Sequence, residues 1–267
     1  MKQHLRWSGV AAVGLGLVLS FAFGGCSHGK DPWDEVEGGQ LKVLVSFPPL
    51  YCFTKAVADK DAKVQTLLAN TGPHEHQASG SDAHWAIGAN LFLANGLTLD
   101  DFVTKVANSS ANKDLKVIKI AEKGIPDAKL IKGFEHKHED GTVHGDKDPH
   151  TWLGIEQAIL MVETIRDELS TADPAHADNY KRRAGEYIEQ LKKLQDDGKK
   201  LLADKKNRKL IAMHESLAYF CKSYGLELEG SIMPKPGVEA DATELGKLVE
   251  KCEKQNIQII AVEPQYG

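Results

Sequence analysis

From Pro174 to about Lys205 the chain runs in one uninterrupted helical pattern, with Asp173 placed as an N-cap and Pro174 in the first turn. Tyr180, Ala184, Tyr187, Leu191 and Leu194 follow at alternating spacings of four and three. This single apolar stripe continues through Leu201 and Leu202, with Gly198 as its weak point. At 1.5 Å per residue the rod spans roughly 45 Å. A helix of that length is a rigid spine leading from one folded body into a second.

The flanking sequence supplies both bodies. Leu41–Ser46, Val64–Leu68, Leu91–Ala94 and Lys116–Ile120 are apolar runs of strand length with helical patterns between them, the signature of a mostly parallel sheet covered on both faces. Beyond the spine, Lys209–Met213, Leu226–Gly230 and Ile257–Val262 repeat the strand type, with helices at about 215–224 and 241–255. The expected fold class is therefore α/β: two Rossmann-like lobes joined by a long spine helix. The expected layout is an N-terminal lobe over 41–150, a helical segment over 151–205 containing the spine helix 174–205, and a C-terminal lobe over 206–267. The chain stops at Gly267, soon after an apolar strand and before any covering helix. The second lobe is accordingly expected to be incomplete, with strand 257–262 at an exposed edge.

The first 26 residues have a separate logic. Lys2 and Arg6 precede the apolar stretch Val10–Phe23, which ends in Gly24-Gly25-Cys26. About 14 apolar residues fall short of the roughly 20 needed to span a bilayer, so residues 1–26 are expected to be a lipoprotein signal peptide with Cys26 lipidated. Residues 27–40, rich in Gly, Asp and Glu, then form a tether. This places the body outside the cytoplasm, in the periplasm or on the outer face of the cell membrane, held there by the lipid anchor. Export leaves Cys52, Cys221 and Cys252, an odd number, with a Cys221–Cys252 disulfide or buried thiols both open. A net charge of −5 without a long basic block excludes nucleic acid as a partner.

The chemistry is carried by histidine. His74 lies in Gly72-Pro73-His74, His150 in Asp148-Pro149-His150, and His214 directly after strand 209–213. All three stand where a strand hands over to the next element, the place at which α/β sheets bind ligands. Neutral imidazole suits zinc, so these three are the candidate metal ligands. The polar run Glu135–His144 adds His136, His138 and His144 in a histidine-rich loop over 135–147, a candidate low-affinity metal collector. Enzymatic zinc signatures fit less well. His214-Glu215 begins like HExxH but has Ala218 at the second histidine position, the string Gly25-Cys26-Ser27-His28-Gly29 sits at the signal-peptide cysteine and is no GxSxG nucleophile elbow, and the sequence holds no P-loop and no CxxC pair. A lipid-anchored zinc-dependent hydrolase would need an open coordination position beside Glu215 or Glu75 as general base.

Pro73-His74, Asp148–Leu153, Met213–Phe220 followed by Lys222–Leu226, and Val262–Tyr266 occur in the order of the signatures of the zinc/manganese solute-binding proteins of ABC importers, the cluster A-I family. The chain resembles that family from Leu41 to its end. The resemblance implies a receptor that holds one divalent ion between two lobes and delivers it to a membrane permease with its ATPase, without catalysis. It places the family's metal-binding histidines on His74, His150 and His214. Manganese-selective relatives commonly carry a carboxylate at the third position. His214 here favours Zn²⁺ over Mn²⁺. The family's usual carboxylate near the C-terminus lies beyond this chain, so Glu75, Glu263 or water is expected at the fourth position. Glu263 is alternatively expected to support an imidazole from behind. A manganese or iron receptor, and a surface protein acting in cell adhesion or metal storage, are the neighbouring readings.

Overall fold

The computed structural model describes residues 33–34, 36, 38–74, 76–133, 136–137, 143–144, 147–233, 238 and 240–263. The signal segment, Cys26 and Glu75 lie outside these residues, as does His138.

The first sheet is built from β1 (Leu41–Val45), β2 (Ala62–Thr66), β3 (Leu91–Ala94) and β4 (Lys116–Lys119), all parallel in the order β2-β1-β3-β4. The crossovers α1 (Pro48–Ala58), α2 (Gly80–Ile87) and α3 (Phe102–Ser109) connect them, and the short α4 (Ile120–Gly124) follows β4. β1 is central, with Val43 facing Val64 on one side and Leu91 on the other. The chain therefore leaves β1 first towards β2 and then towards β3. That reversal opens a crevice at the strand C-terminal ends. Pro48 and Pro49 start α1 because the first helical turn needs no N–H donor from either.

Two short strands, β5 (His136–Lys137) and β6 (Val143–His144), pair antiparallel with His136 opposite His144. Two long helices follow, α5 (Ile155–Ala172) and α6 (Ala177–Leu202). α5 and α6 pack on each other and on α1, burying Leu50, Met161, Ile165, Leu169 and Tyr180. α6 then reaches α7 (Ala218–Tyr224) of the second body. There β7 (Lys209–Ala212) lies between β8 (Glu227–Ser231) and β9 (Ile260–Ala261), again all parallel, and α8 (Ala242–Gln255) links β8 to β9.

Several elements differ from the sequence expectation, each for a local reason. The spine does not start as α-helix at Pro174: residues Pro174–His176 form a 3-10 turn, and α6 begins at Ala177. The Asp173 carboxylate accepts hydrogen bonds from the Tyr180 hydroxyl and His176 Nδ1, both at 2.7 Å, instead of capping backbone N–H groups. The apolar stripe is fully buried only as far as Leu191, although Leu202 still packs partly buried against the core. Ile188 takes the buried place, and Leu194 and Leu201 point to solvent. Gly198 is no weak point, since a Cβ there would lie 2.4 Å from the Tyr224 ring, so glycine lets α7 approach α6.

The run 257–262 is strand only at Ile260–Ala261, with Ile259, Ile260 and Val262 exposed at the edge of the sheet. The expected tether also contains a core residue: Trp33 is 4% exposed, packs over Gly88 and donates its indole N–H to the Trp85 carbonyl. Cys52, Cys221 and Cys252 are free thiols, so the Cys221–Cys252 bridge is not formed.

Candidate metal centre

Each histidine is delivered by a different connection between elements. His74 sits in the connection from β2 to α2. The far side of that connection is fixed by a capping box at Ser79 and Asp82, and by His76 Nε2 at 2.9 Å from Asp82 Oδ2. His150 ends the return from the β5–β6 segment and opens the 3-10 turn Thr151–Leu153. His214 follows β7, whose alignment is continued by the Met213 N–H bond to the Ala261 carbonyl.

Here the three rings converge. His74 Nε2 lies 3.0 Å and His214 Nε2 3.2 Å from His150 Nε2, and one ligand atom from each residue falls within 4.8 Å of the others. Three nitrogens at about 2.05 Å from a tetrahedral Zn²⁺ would be separated by roughly 3.3 Å. His150 and His214 are buried and His74 is exposed, which makes His74 the open side of the site.

The opposite faces of the two buried rings define their tautomers. His150 Nδ1 is 2.7 Å from Asp148 Oδ1, and His214 Nδ1 is 2.6 Å from Glu263 Oε1. A carboxylate at Nδ1 keeps the proton there and leaves Nε2 as a lone pair. With both rings protonated at Nδ1, the two Nε2 lone pairs 3.2 Å apart would repel each other, and a cation placed between them would convert that repulsion into coordination. Burial pushes the Glu263 carboxyl up, but the hydrogen bond and charge of His214, helped by Ser216, outweigh it and hold Glu263 below the usual carboxylate range. Ser216 donates its hydroxyl to the same Glu263 oxygen at 2.9 Å.

The backbone in front of His150 is held from two directions. Asn95 donates from Nδ2 to the Pro149 carbonyl at 3.0 Å, and Thr151 Oγ1 lies 3.4 Å from Asn95 Oδ1. Asn95 belongs to a loop in which Gly96, Leu97 and Thr98 all have positive φ, of 83°, 54° and 65°. Such a run persists only where side chains fix it. Asp100 accepts from the Asn95 and Gly96 N–H groups and from the Ser46 hydroxyl, while Glu122 accepts from the Leu97 N–H. Burial pushes the Asp100 carboxyl above its ordinary range despite these bonds. From the other direction, Tyr219 on α7 donates its hydroxyl to the Asp148 carbonyl at 3.0 Å. Burial first, and the nearby Asp148 charge, push the Tyr219 phenol up to about 12, so it remains a hydroxyl donor at neutral pH.

Of the sequence candidates, His74, His150 and His214 come together. Glu263 lies against His214 Nδ1, and Glu75 falls outside the described residues. For His136 and His144 only the backbone pairing is described. Glu215, the general base of an enzymatic reading, is pushed up to about 7 by burial and by Asp148 but is not one of the convergent groups. Sequence reasoning passed over Asp148, Asn95, Asp100 and Tyr219. Only Asp148 left a signal, a carboxylate two residues before a candidate ligand.

Two α/β bodies with parallel sheets, spanned by one long helix and with imidazoles gathered from the connections between their elements, are the architecture of the solute-binding proteins of metal importers. The chain belongs to the family described as zinc-uptake complex component A, periplasmic, whose model matches residues 43–267. It is 32% identical over 244 residues to the zinc-binding protein AdcA of Streptococcus pyogenes serotype M3, an alignment covering 84% of this chain and 46% of that protein. The chain thus spans about half the length of such curated relatives. Among solved structures it is similar to the Zn(II)-bound ZnuA-like domain of Streptococcus pneumoniae AdcA (30% identity, TM-score 0.68, 84% of this chain and 79% of that one). It is also similar to the SBP FpvC from Pseudomonas aeruginosa in complex with Mn²⁺ (26% identity, TM-score 0.72, 83% and 79%).

Proposed function

We propose that this chain is the extracytoplasmic zinc receptor of an ABC importer, anchored through Cys26, which captures Zn²⁺ and passes it to a permease powered by its ATPase. One observation carries the reading: three imidazole Nε2 atoms from three separate connections converge, and two of the rings are backed by carboxylates. An all-nitrogen donor set prefers Zn²⁺ to Mn²⁺. His74, His150 and His214 are the ligands, with water or a nearby carboxylate at the fourth position, and the cycle is capture and release without catalysis. Residues 41–150 and 206–267 act as the two jaws. The segment 135–147 collects ions weakly through His136, His138 and His144. The Mn²⁺ complex of FpvC supports a manganese receptor as the second reading.

The test is titration of the apo protein with Zn²⁺ and Mn²⁺ against a competing chelator. Zn²⁺ should bind more tightly. His150→Ala should weaken Zn²⁺ by more than about 100-fold, beyond the range for groups that only support a ligand. Unchanged affinity in His150→Ala removes the site. Deletion of 135–145 should abolish only weak equivalents, and loss of the tight one would overturn the division between collector and site.

A further inference from the structure

Tyr219 is fully buried, and its hydroxyl makes two hydrogen bonds far from its own helix. It accepts from the Ile131 N–H at 2.9 Å and donates to the Asp148 carbonyl at 3.0 Å. Ile131 and Asp148 are also joined directly, the Asp148 N–H donating to the Ile131 carbonyl at 2.9 Å. Outward from this pair the chain stays closed: Lys132 and Lys147 form an antiparallel bridge, and a Cβ on Gly133 would meet the Lys147 carbonyl carbon at 2.7 Å. The histidine-rich segment therefore leaves and returns through one narrow stem, and a side chain of the second body bolts its base.

The same Asp148 carries the carboxylate that orients His150, accepting from both the His150 N–H at 2.9 Å and Nδ1 at 2.7 Å. Tyr219 itself has little freedom. A Cβ on Gly154 would come within 2.9 Å of Tyr219 Cβ, and Ser223 Oγ accepts from the Ile155 N–H while donating to the Tyr219 carbonyl.

We propose that the Tyr219 hydroxyl is a positioning group that ties the stem of the 132–147 segment to the cation site, setting through Asp148 the orientation in which His150 meets the ion. This rests on the His74, His150 and His214 reading above. In effect one phenol lets the histidine-rich segment, the His150 turn and the helix after His214 share a single anchoring point. Movement at the stem is transmitted to the ligand, and ordering of the ligand tightens the stem.

The experiment compares Tyr219→Phe, which keeps the ring and removes only the hydroxyl, with Lys222→Ala as a control at an exposed position of the same helix. Tyr219→Phe is expected to release Zn²⁺ about 10-fold faster or more, in the range known for groups that orient a metal ligand. It is also expected to change the d–d absorption of the Co²⁺-loaded protein, whereas Lys222→Ala should leave both at wild-type values. A purely structural role would lower the melting temperature of Tyr219→Phe without moving the release rate or the Co²⁺ spectrum, and that result overturns the proposal. In the wild-type protein, hydrogen exchange at the Ile131 N–H should slow at least about tenfold on Zn²⁺ addition. Unchanged exchange overturns the proposal even where Tyr219→Phe does not fold. His150→Ala is measured alongside. If it too binds Zn²⁺ like wild type, the site reading fails; if it loses binding while Tyr219→Phe behaves as wild type, only the Tyr219 assignment fails.

Discussion

Asp148 is the sharpest test of how the centre is held. Its Oδ1 receives both the backbone N–H and the Nδ1 of His150, and the two residues are only 5% and 6% exposed, so water cannot readily replace a lost acceptor. Asp148→Asn keeps an oxygen for both donors and removes only the negative charge. Asp148→Ala leaves a buried N–H and an imidazole without an acceptor. Groups that orient a metal-bound histidine are generally worth about 10- to 100-fold in affinity, or roughly 1.4 to 2.7 kcal/mol. Asparagine is expected near the lower end and alanine near the upper. Zn²⁺ affinity would be read by chelator competition at pH 7, with circular dichroism establishing that both variants are folded. A folded Asp148→Ala that binds Zn²⁺ within about twofold of wild type would show that the imidazole is oriented by something other than the carboxylate.

Two further outcomes concern the scaffold. Gly198→Ala in a solvated helix would ordinarily stabilise by up to about 1 kcal/mol, but the 2.4 Å approach to Tyr224 should make it destabilising by about 1–3 kcal/mol in urea unfolding. Burial pushes the Asp61 carboxyl up, but hydrogen bonds from Arg183 and Asn179 and the Arg183 charge outweigh it and hold it below its ordinary 3.8. A depressed carboxylate contributes stability that is complete above the unfolded value and lost as pH falls through the folded one. Asp61→Asn should therefore be less stable than wild type at pH 6, with the gap narrowing in melts recorded below pH 3.8.

The parallel sheets and the long helix were legible because their signals are local: apolar runs of fixed length, a 3.6-residue stripe, and Pro beside its turn. The three convergent histidines were legible because each stands in a connection between elements, His74 and His150 directly after a proline and His214 close behind β7. What escaped depends on pairings distant in the chain. Nothing near Tyr219 announces that its hydroxyl will meet Ile131 and Asp148, separated from it by 88 and 71 residues. Nothing near Gly198 announces Tyr224. Trp33 was read with its polar neighbours as tether, whereas a single indole found Trp85 and Gly88 in the folded lobe. The helix start was misplaced because Asp173 has two competing uses, and the side-chain partners Tyr180 and His176 outcompete the backbone.

The carboxylates behind His150 and His214 also bear on electrical balance. Neutral imidazoles alone would bring a doubly charged ion into a partly buried place with no counter-charge, and an uncompensated ion away from water is expensive. Asp148 and Glu263 carry together the opposite two charges, each one imidazole ring removed from where the ion would sit. The atoms that touch the metal can then remain uncharged nitrogen, while neutrality is reached across the rings. Metal preference would then be set by the nitrogen atoms and charge cancellation by the carboxylates behind them, the two coupled through the Nδ1 contacts that orient the rings.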